Sequence, residues 1–182
     1  GAALTQMQYN SQGPVGASPL YMKYGKTPEM YAALGYKNKN FLVRAGVDVL
    51  SIRPRIQGEL NGEKVKVDDR ITTASVFAYA QYNKGLFSAK AKTTYGSAGE
   101  HMGLMSGYAK VGELEDGTWQ YASLRNSSSW VSLSYGKKWQ GVFFAGYMKN
   151  LGLAEKHDVE NVYFNGNGSA NINQMYRINP QG

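Results

Sequence analysis

The chain's only two histidines each lie beside a carboxylate, as Glu100-His101 and His157-Asp158. Imidazole next to carboxylate is the raw material of general acid–base chemistry, and outer-membrane hydrolases place such groups in the loops of a barrel. Adjacency in sequence does not supply the geometry a dyad needs, however, and both pairs read as solvated loop residues. Gly25-Lys26-Thr27 has the end of a phosphate loop, but the glycine that such a loop needs five residues earlier is Leu20. Glu113, Glu115 and Asp116 before Gly117 lack the spacing of a calcium loop and read as an acidic turn. With no cysteine there is no disulfide, thiolate metal site or thiol nucleophile. These residues give no catalytic residue, metal or cofactor, and a protein that is not an enzyme is the expectation.

A different set of charges is better placed. Arg44, Lys90, Lys92 and Arg177, with the acidic Glu29 and Asp48, alternate with apolar neighbours so that all six fall on one face of extended strands. Around a water-filled path such side chains set a field that selects solutes by charge. Four cations against two anions favour anions. In a filled barrel the same groups would instead be paired structural charges, since unpaired burial is costly.

The elements that would hold these charges show a repeated pattern. Three tight turns are bounded by aromatic pairs: Tyr36 with Phe41, Tyr82 with Phe87, and Tyr135 with Trp139. Pairing outward from Tyr82–Phe87 sets Ala80 opposite Ala89, Ala78 opposite Ala91 and Val76 opposite Thr93, with Gln81, Tyr79, Phe77, Lys90 and Lys92 behind. The first hairpin behaves likewise, with Leu34, Val43, Ala45 and Val47 on one side and Arg44 and Asp48 on the other. In the third, Trp130, Val142 and Phe144 join the polar side and weaken the contrast. The aromatic pairs suit a membrane-interface girdle, because their rings are apolar while the Tyr hydroxyl and Trp N–H reach headgroups.

Eight strands are expected, over about 2–10, 29–36, 41–52, 69–82, 86–96, 121–135, 139–150 and 169–178. Their connections alternate between long and short, as do the external loops and periplasmic turns of outer-membrane barrels. The long connection 97–120 has room to fold inward or to hold a short helix around Met102 to Tyr108. Gly1 falls at the start of a strand, and a new turn, Asn179-Pro180-Gln181-Gly182, follows Ile178, so the chain reads as a segment of a larger barrel. Eight strands closing on themselves would instead leave an interior filled by side chains such as Tyr31, Phe77, Tyr79, Trp130 and Phe144.

Composition agrees with a barrel wall. Among 182 residues there are 22 glycines and 14 tyrosines, while charged residues make up only 18%. No run approaches 18 apolar residues, which excludes a spanning helix but not a barrel. The net charge of +7 would suit nucleic acid, yet the basic residues are scattered and no nucleic-acid motif accompanies them, so no nucleic-acid partner is expected.

The strings Ser132-Leu133-Ser134-Tyr135-Gly136-Lys137-Lys138-Trp139-Gln140, Phe144-Ala145-Gly146-Tyr147-Met148-Lys149-Asn150-Leu151-Gly152 and Asn171-Ile172-Asn173-Gln174-Met175-Tyr176-Arg177-Ile178-Asn179-Pro180 resemble the porin-like outer-membrane proteins of Bacteroides-type Gram-negative bacteria. The resemblance implies a barrel of a dozen or more strands that passes small hydrophilic solutes, and it leaves room for a homotrimer. The family's leader region and its final strand with a terminal aromatic have no counterpart here.

The expectation is therefore an all-β, antiparallel transmembrane barrel. It occupies residues 1–182 as one domain or a segment of one, sits in the outer membrane among lipid and lipopolysaccharide, and conducts small, preferentially anionic solutes. The rivals are an eight-stranded packed barrel for anchoring or adhesion, and a soluble β-sandwich that binds carbohydrate.

Overall fold

The computed structural model describes residues 27–97 and 107–153, together with short strands at 2–5, 12–13, 16–17 and 161–163. Among these residues every regular element is a β-strand. In chain order they are β1 (Ala2–Thr5), β2 (Gln12–Gly13), β3 (Gly16–Ala17), β4 (Glu29–Lys37), β5 (Phe41–Ile52), β6 (Gln57–Leu60), β7 (Glu63–Lys66), β8 (Ile71–Lys84), β9 (Phe87–Ser97), β10 (Gly107–Glu113), β11 (Trp119–Gly136), β12 (Gln140–Gly152) and β13 (Asn161–Tyr163). Nine of them form one antiparallel sheet in the order β1-β4-β5-β8-β9-β11-β10-β13, with β12 also on β11. Long strands joined by tight hairpins account for most of it. The two ends of this order do not pair with each other among the described residues, so the sheet is antiparallel and all-β with no closure within them. The expected strand at 169–178, and both histidines, lie outside the described residues.

The alternation read in the sequence divides the sheet as expected, but the register differs. Tyr36 pairs with Val43 rather than Phe41, Tyr82 with Ala89 rather than Phe87, and Tyr135 with Gly141 rather than Trp139. Each hairpin has moved by two residues, which preserves both faces because side chains alternate with a period of two. The turns explain the shift. Asn38 Oδ1 accepts hydrogen bonds from the backbone N–H groups of Asn40 at 3.0 Å and Phe41 at 2.8 Å. At the second hairpin only Gly85 and Leu86 remain outside the strands, with Gly85 at φ +60°. Adjacent turns are tied together by Asn83 N–H to Asn40 O and Gly136 N–H to Leu86 O.

The outer face is exposed and largely apolar, with Thr93 and Ser129 as polar exceptions whose hydroxyls bond each other at 2.8 Å. Leu34 is 85% exposed and Tyr147 71% exposed, and Val43, Val47, Val76, Leu133 and Phe143 stand beside them. From Phe87 to Tyr95, the aromatic residues near the two ends of β9, the strand covers about 26 Å at ~3.3 Å per residue.

The packed core lies elsewhere, at the long-loop end. There Leu50, Ile52 and Ile71 pack with Tyr108, while Ala109, Leu124 and Leu153 form a second cluster. β11 runs past β9 and β12 so that its first residues pair with β10. The connection 53–68, expected as irregular loop, contains the β6–β7 hairpin. It turns at Asn61-Gly62 with both residues at positive φ, as a two-residue hairpin of this kind requires. The stretch that had room for a short helix ending at Tyr108 instead has Tyr108 in β10.

A buried ion pair fastens this hairpin. Arg55 Nε donates to Asp69 Oδ2 at 2.8 Å and a second Arg55 nitrogen donates to Gly117 O at 2.8 Å. The Arg55 guanidinium lies 3.6 Å from the centroid of the Trp119 ring. Asp69, fully buried, also accepts from Tyr121 Oη at 2.6 Å and from the Trp119 N–H at 3.1 Å. Burial, and then the bond to Asp69, push the Tyr121 phenol well above its ordinary range. This node lies beyond the exposed apolar band. Nearby, Glu113 pairs with Lys110 at 3.0 Å. Asp116 accepts the Thr118 N–H at 2.8 Å, a bond that holds its carboxyl below the usual range.

Candidate functional site: the inner face of the sheet

The opposite face of the long strands carries the side chains with polar chemistry, and the observed register arranges them in rows. One row reads Gly35, Arg44, Tyr79, Lys92, Trp130, Gly146 across β4, β5, β8, β9, β11 and β12, each residue the direct cross-strand partner of the next. Cation and ring alternate at the ~4.8 Å spacing of neighbouring strands, with a glycine at each end. Toward the long loops the next row contains Gly46, Phe77, Thr94 and Ser128. Beyond it come Tyr31, Asp48, Ser75 and Gly96.

The glycines give the long side chains room. A methyl group on Gly35 would lie 3.1 Å from Arg44 Cγ, and one on Gly46 would lie 2.5 Å from Phe77 Cε1. Arg44 and Phe77 thus lean over their glycine neighbours. Above the row the Tyr31 and Phe77 rings are parallel to within 5°, centroids 5.9 Å apart. Tyr79 meets Trp130 at 6.3 Å, and Trp130 meets Phe144 at 6.0 Å. The Lys92 ammonium is 5.2 Å from the Phe77 ring centroid, within the range of a cation–π attraction. Tyr31, Phe77, Tyr79 and Trp130 line a recess of about 350 Å³, whose polar contributors are Arg44, Asp48, Ser75, Lys92 and Thr94.

Of the six charges expected on this face, Arg44, Asp48 and Lys92 converge on the recess. Lys90 lies in the adjacent row toward the short turns, opposite Gln81 and Ser132. Glu29 is buried at the long-loop end of β4, opposite Thr5. Arg177 lies outside the described residues. Arg44 and Lys90 are exposed and Lys92 is half-buried, whereas Asp48 is buried. The cations are therefore the groups a dissolved solute would meet.

The aromatic girdle residues are brought together in a different way from that expected. Phe41 and Tyr82 are cross-strand partners between hairpins, with ring centroids 4.6 Å apart, and Phe87 is likewise the partner of Tyr135. The girdle is thus stitched across the seams between hairpins and also across the second turn, where the Tyr82 and Phe87 rings meet with centroids 6.5 Å apart. Tyr36 is exposed on the same face, and Trp139 projects from its turn, 93% exposed.

The sequence puts Tyr31, Phe77, Tyr79 and Trp130 on this face, where they would serve as filler only if eight strands closed on themselves. Their alternation with Arg44 and Lys92 follows only from the observed register. Between the aromatic ends of the outer face lies a shallow groove lined by small side chains, among them Ala45, Ala78, Ala80, Ala91 and Ala145. No family model, curated protein or solved structure matches the chain.

Proposed function

We propose that this chain forms wall of a transmembrane β-barrel in a Gram-negative outer membrane and acts as a passive channel for small hydrophilic solutes, with a preference for anions. The observation that carries the reading is the division of β4, β5, β8, β9, β11 and β12 into an exposed apolar face bordered by aromatics and an opposite face bearing Arg44, Lys90 and Lys92. Soluble monomers rarely expose apolar patches beyond a few hundred Å². Barrel walls alternate apolar-out with polar-in by design, and aromatics mark both interfaces.

In hydrocarbon the sheet edges must be satisfied by closure, whether through other parts of this chain or through further strands. Arg44 and Lys92 sit side by side with rings in one row and give the lumen a local positive potential. Lipid and lipopolysaccharide are the partners of the outer face, and no chemistry is performed.

A packed eight-stranded barrel is the second reading, favoured by the size of Tyr31, Phe77, Trp130 and Phe144. Planar-bilayer recording separates the two. The channel reading expects discrete conductance steps and a reversal potential favouring chloride over potassium, reduced in Arg44→Gln/Lys92→Gln. The preference should fade toward 1 M salt, where the screening length falls to about 3 Å. A silent bilayer, with folded protein inserted, favours the packed barrel.

A further inference from the structure

We propose that the inner-face recess is a binding site for small aromatic carboxylates, so that the channel's preferred solutes are planar organic anions rather than inorganic anions or sugars. The inference rests on the reading of this face as water-accessible and names the solute class for it. Three observations carry it.

First, the recess of about 350 Å³ has the size of a small-molecule site and combines four rings with five polar or charged side chains, in which the cations Arg44 and Lys92 outnumber the buried carboxylate of Asp48. Second, its cations are placed among rings. Arg44 and Lys92 flank Tyr79 in one row, and Lys92 is flanked in turn by Trp130. A carboxylate held by Arg44 or Lys92 therefore has its organic body delivered onto an aromatic surface. Third, Tyr31 and Phe77 already stack on each other, parallel to within 5° with centroids 5.9 Å apart, so the wall of the recess is built from rings in the offset geometry that aromatic groups prefer.

Each component excludes a simpler ligand. An inorganic anion uses the cations and leaves the rings idle. A sugar could stack on the rings and bond the hydroxyls of Ser75 and Thr94, but it would leave Arg44 and Lys92 without a counter-charge. Arg44 supplies the planar fork that matches a carboxylate, and Lys92 adds a point charge.

The test is a ligand-observed NMR titration of the full chain, folded in detergent micelles, with benzoate, benzamide, acetate and glucose as probes. Benzamide keeps the ring without the charge, and acetate keeps the charge without the ring. The proposal expects benzoate to bind at least tenfold more tightly than any of the other three. It also expects Arg44→Gln/Lys92→Gln to bring benzoate down to the benzamide level, and Trp130→Leu to weaken benzoate while leaving acetate unchanged. Trp130 also touches the Tyr79 and Phe144 rings and Lys92 the Phe77 ring, so circular dichroism and thermal melting check that both variants keep their fold.

Equal binding of benzamide, acetate or glucose would overturn the proposal, as would benzoate affinity unmoved in the double variant, or no benzoate binding at all. Because the titration needs no current, the two failures are distinguishable. Conductance without benzoate binding refutes the solute class alone, and benzoate binding in a protein that does not conduct refutes the channel.

Discussion

Phe41 and Tyr82 face one another across the seam between two hairpins, with ring centroids 4.6 Å apart and planes tilted by 41°. Tyr36, the residue across the turn from Phe41, is paired with Val43 instead. The girdle therefore couples neighbouring hairpins, and it does so where the wall would meet the headgroups.

A double-mutant cycle on Phe41→Ala and Tyr82→Ala should give a coupling of about 0.5–1.5 kcal/mol, read from urea unfolding in lipid vesicles. The corresponding cycle on Tyr36 and Phe41 should give a coupling near zero. Strong coupling across the turn and none across the seam would mean the turn-clamped register is the true one.

The Arg55–Asp69 pair should dominate the stability of the long-loop end. Asp69→Asn leaves the Arg55 cation buried without its counter-charge, a change that costs about 3–5 kcal/mol in such settings. Hydrogen exchange should show faster opening of β6 and β7, with the amides of β8 and β9 near the short turns little changed.

Tyr121 adds a pH dependence to that node. Its folded phenol holds the proton above the ordinary value of 10.0, so as pH rises past 10.0 the unfolded chain deprotonates first. The folded state then binds the extra proton, and stability falls with rising pH. Below that point both states are protonated and the contribution is complete. Tyr121→Phe should lower stability near neutrality by about 1.5–3 kcal/mol, the worth of a hydrogen bond to a charged group, and should flatten this part of the alkaline slope in urea titrations.

Gly46 should tolerate no side chain. A methyl there would lie 2.5 Å from Phe77 Cε1 and 2.7 Å from the Ala32 carbonyl oxygen. The ring could swing aside, but the backbone oxygen could not. Gly46→Val should cost about 1–3 kcal/mol by overpacking, seen as a lower urea midpoint, and Phe77→Ala should restore only part of it.

The two faces of the sheet were legible in the sequence because alternation has a period of two: Leu34, Val43, Ala78 and Ala91 keep their side under any slip by two residues. Register was not legible to the same degree. It depends on how each turn closes, and neither the Asn38 side chain capping its own turn nor the reduction of the second turn to Gly85-Leu86 follows from periodicity. The β6–β7 hairpin did carry a sequence signal, since Asn61-Gly62 between Glu59-Leu60 and Glu63-Lys64 is a strong two-residue turn. The Arg55–Asp69–Tyr121 node carried none, because its hydrogen bonds span up to 62 positions and form through packing alone. The cation–ring row was hidden for the same reason as the register that creates it.

In a barrel wall, one face of these long strands meets hydrocarbon and the other meets water. Nitroxide spin labels at Ala45, Ala78 and Ala91, and separately at Arg44 and Lys90, in protein reconstituted into lipid vesicles, test it most directly. The alanine labels should collide mainly with oxygen dissolved in the acyl region, and the Arg44 and Lys90 labels mainly with a water-soluble nickel chelate. Alanine labels open to the chelate, with Arg44 and Lys90 labels that match them or report acyl chains, would contradict it.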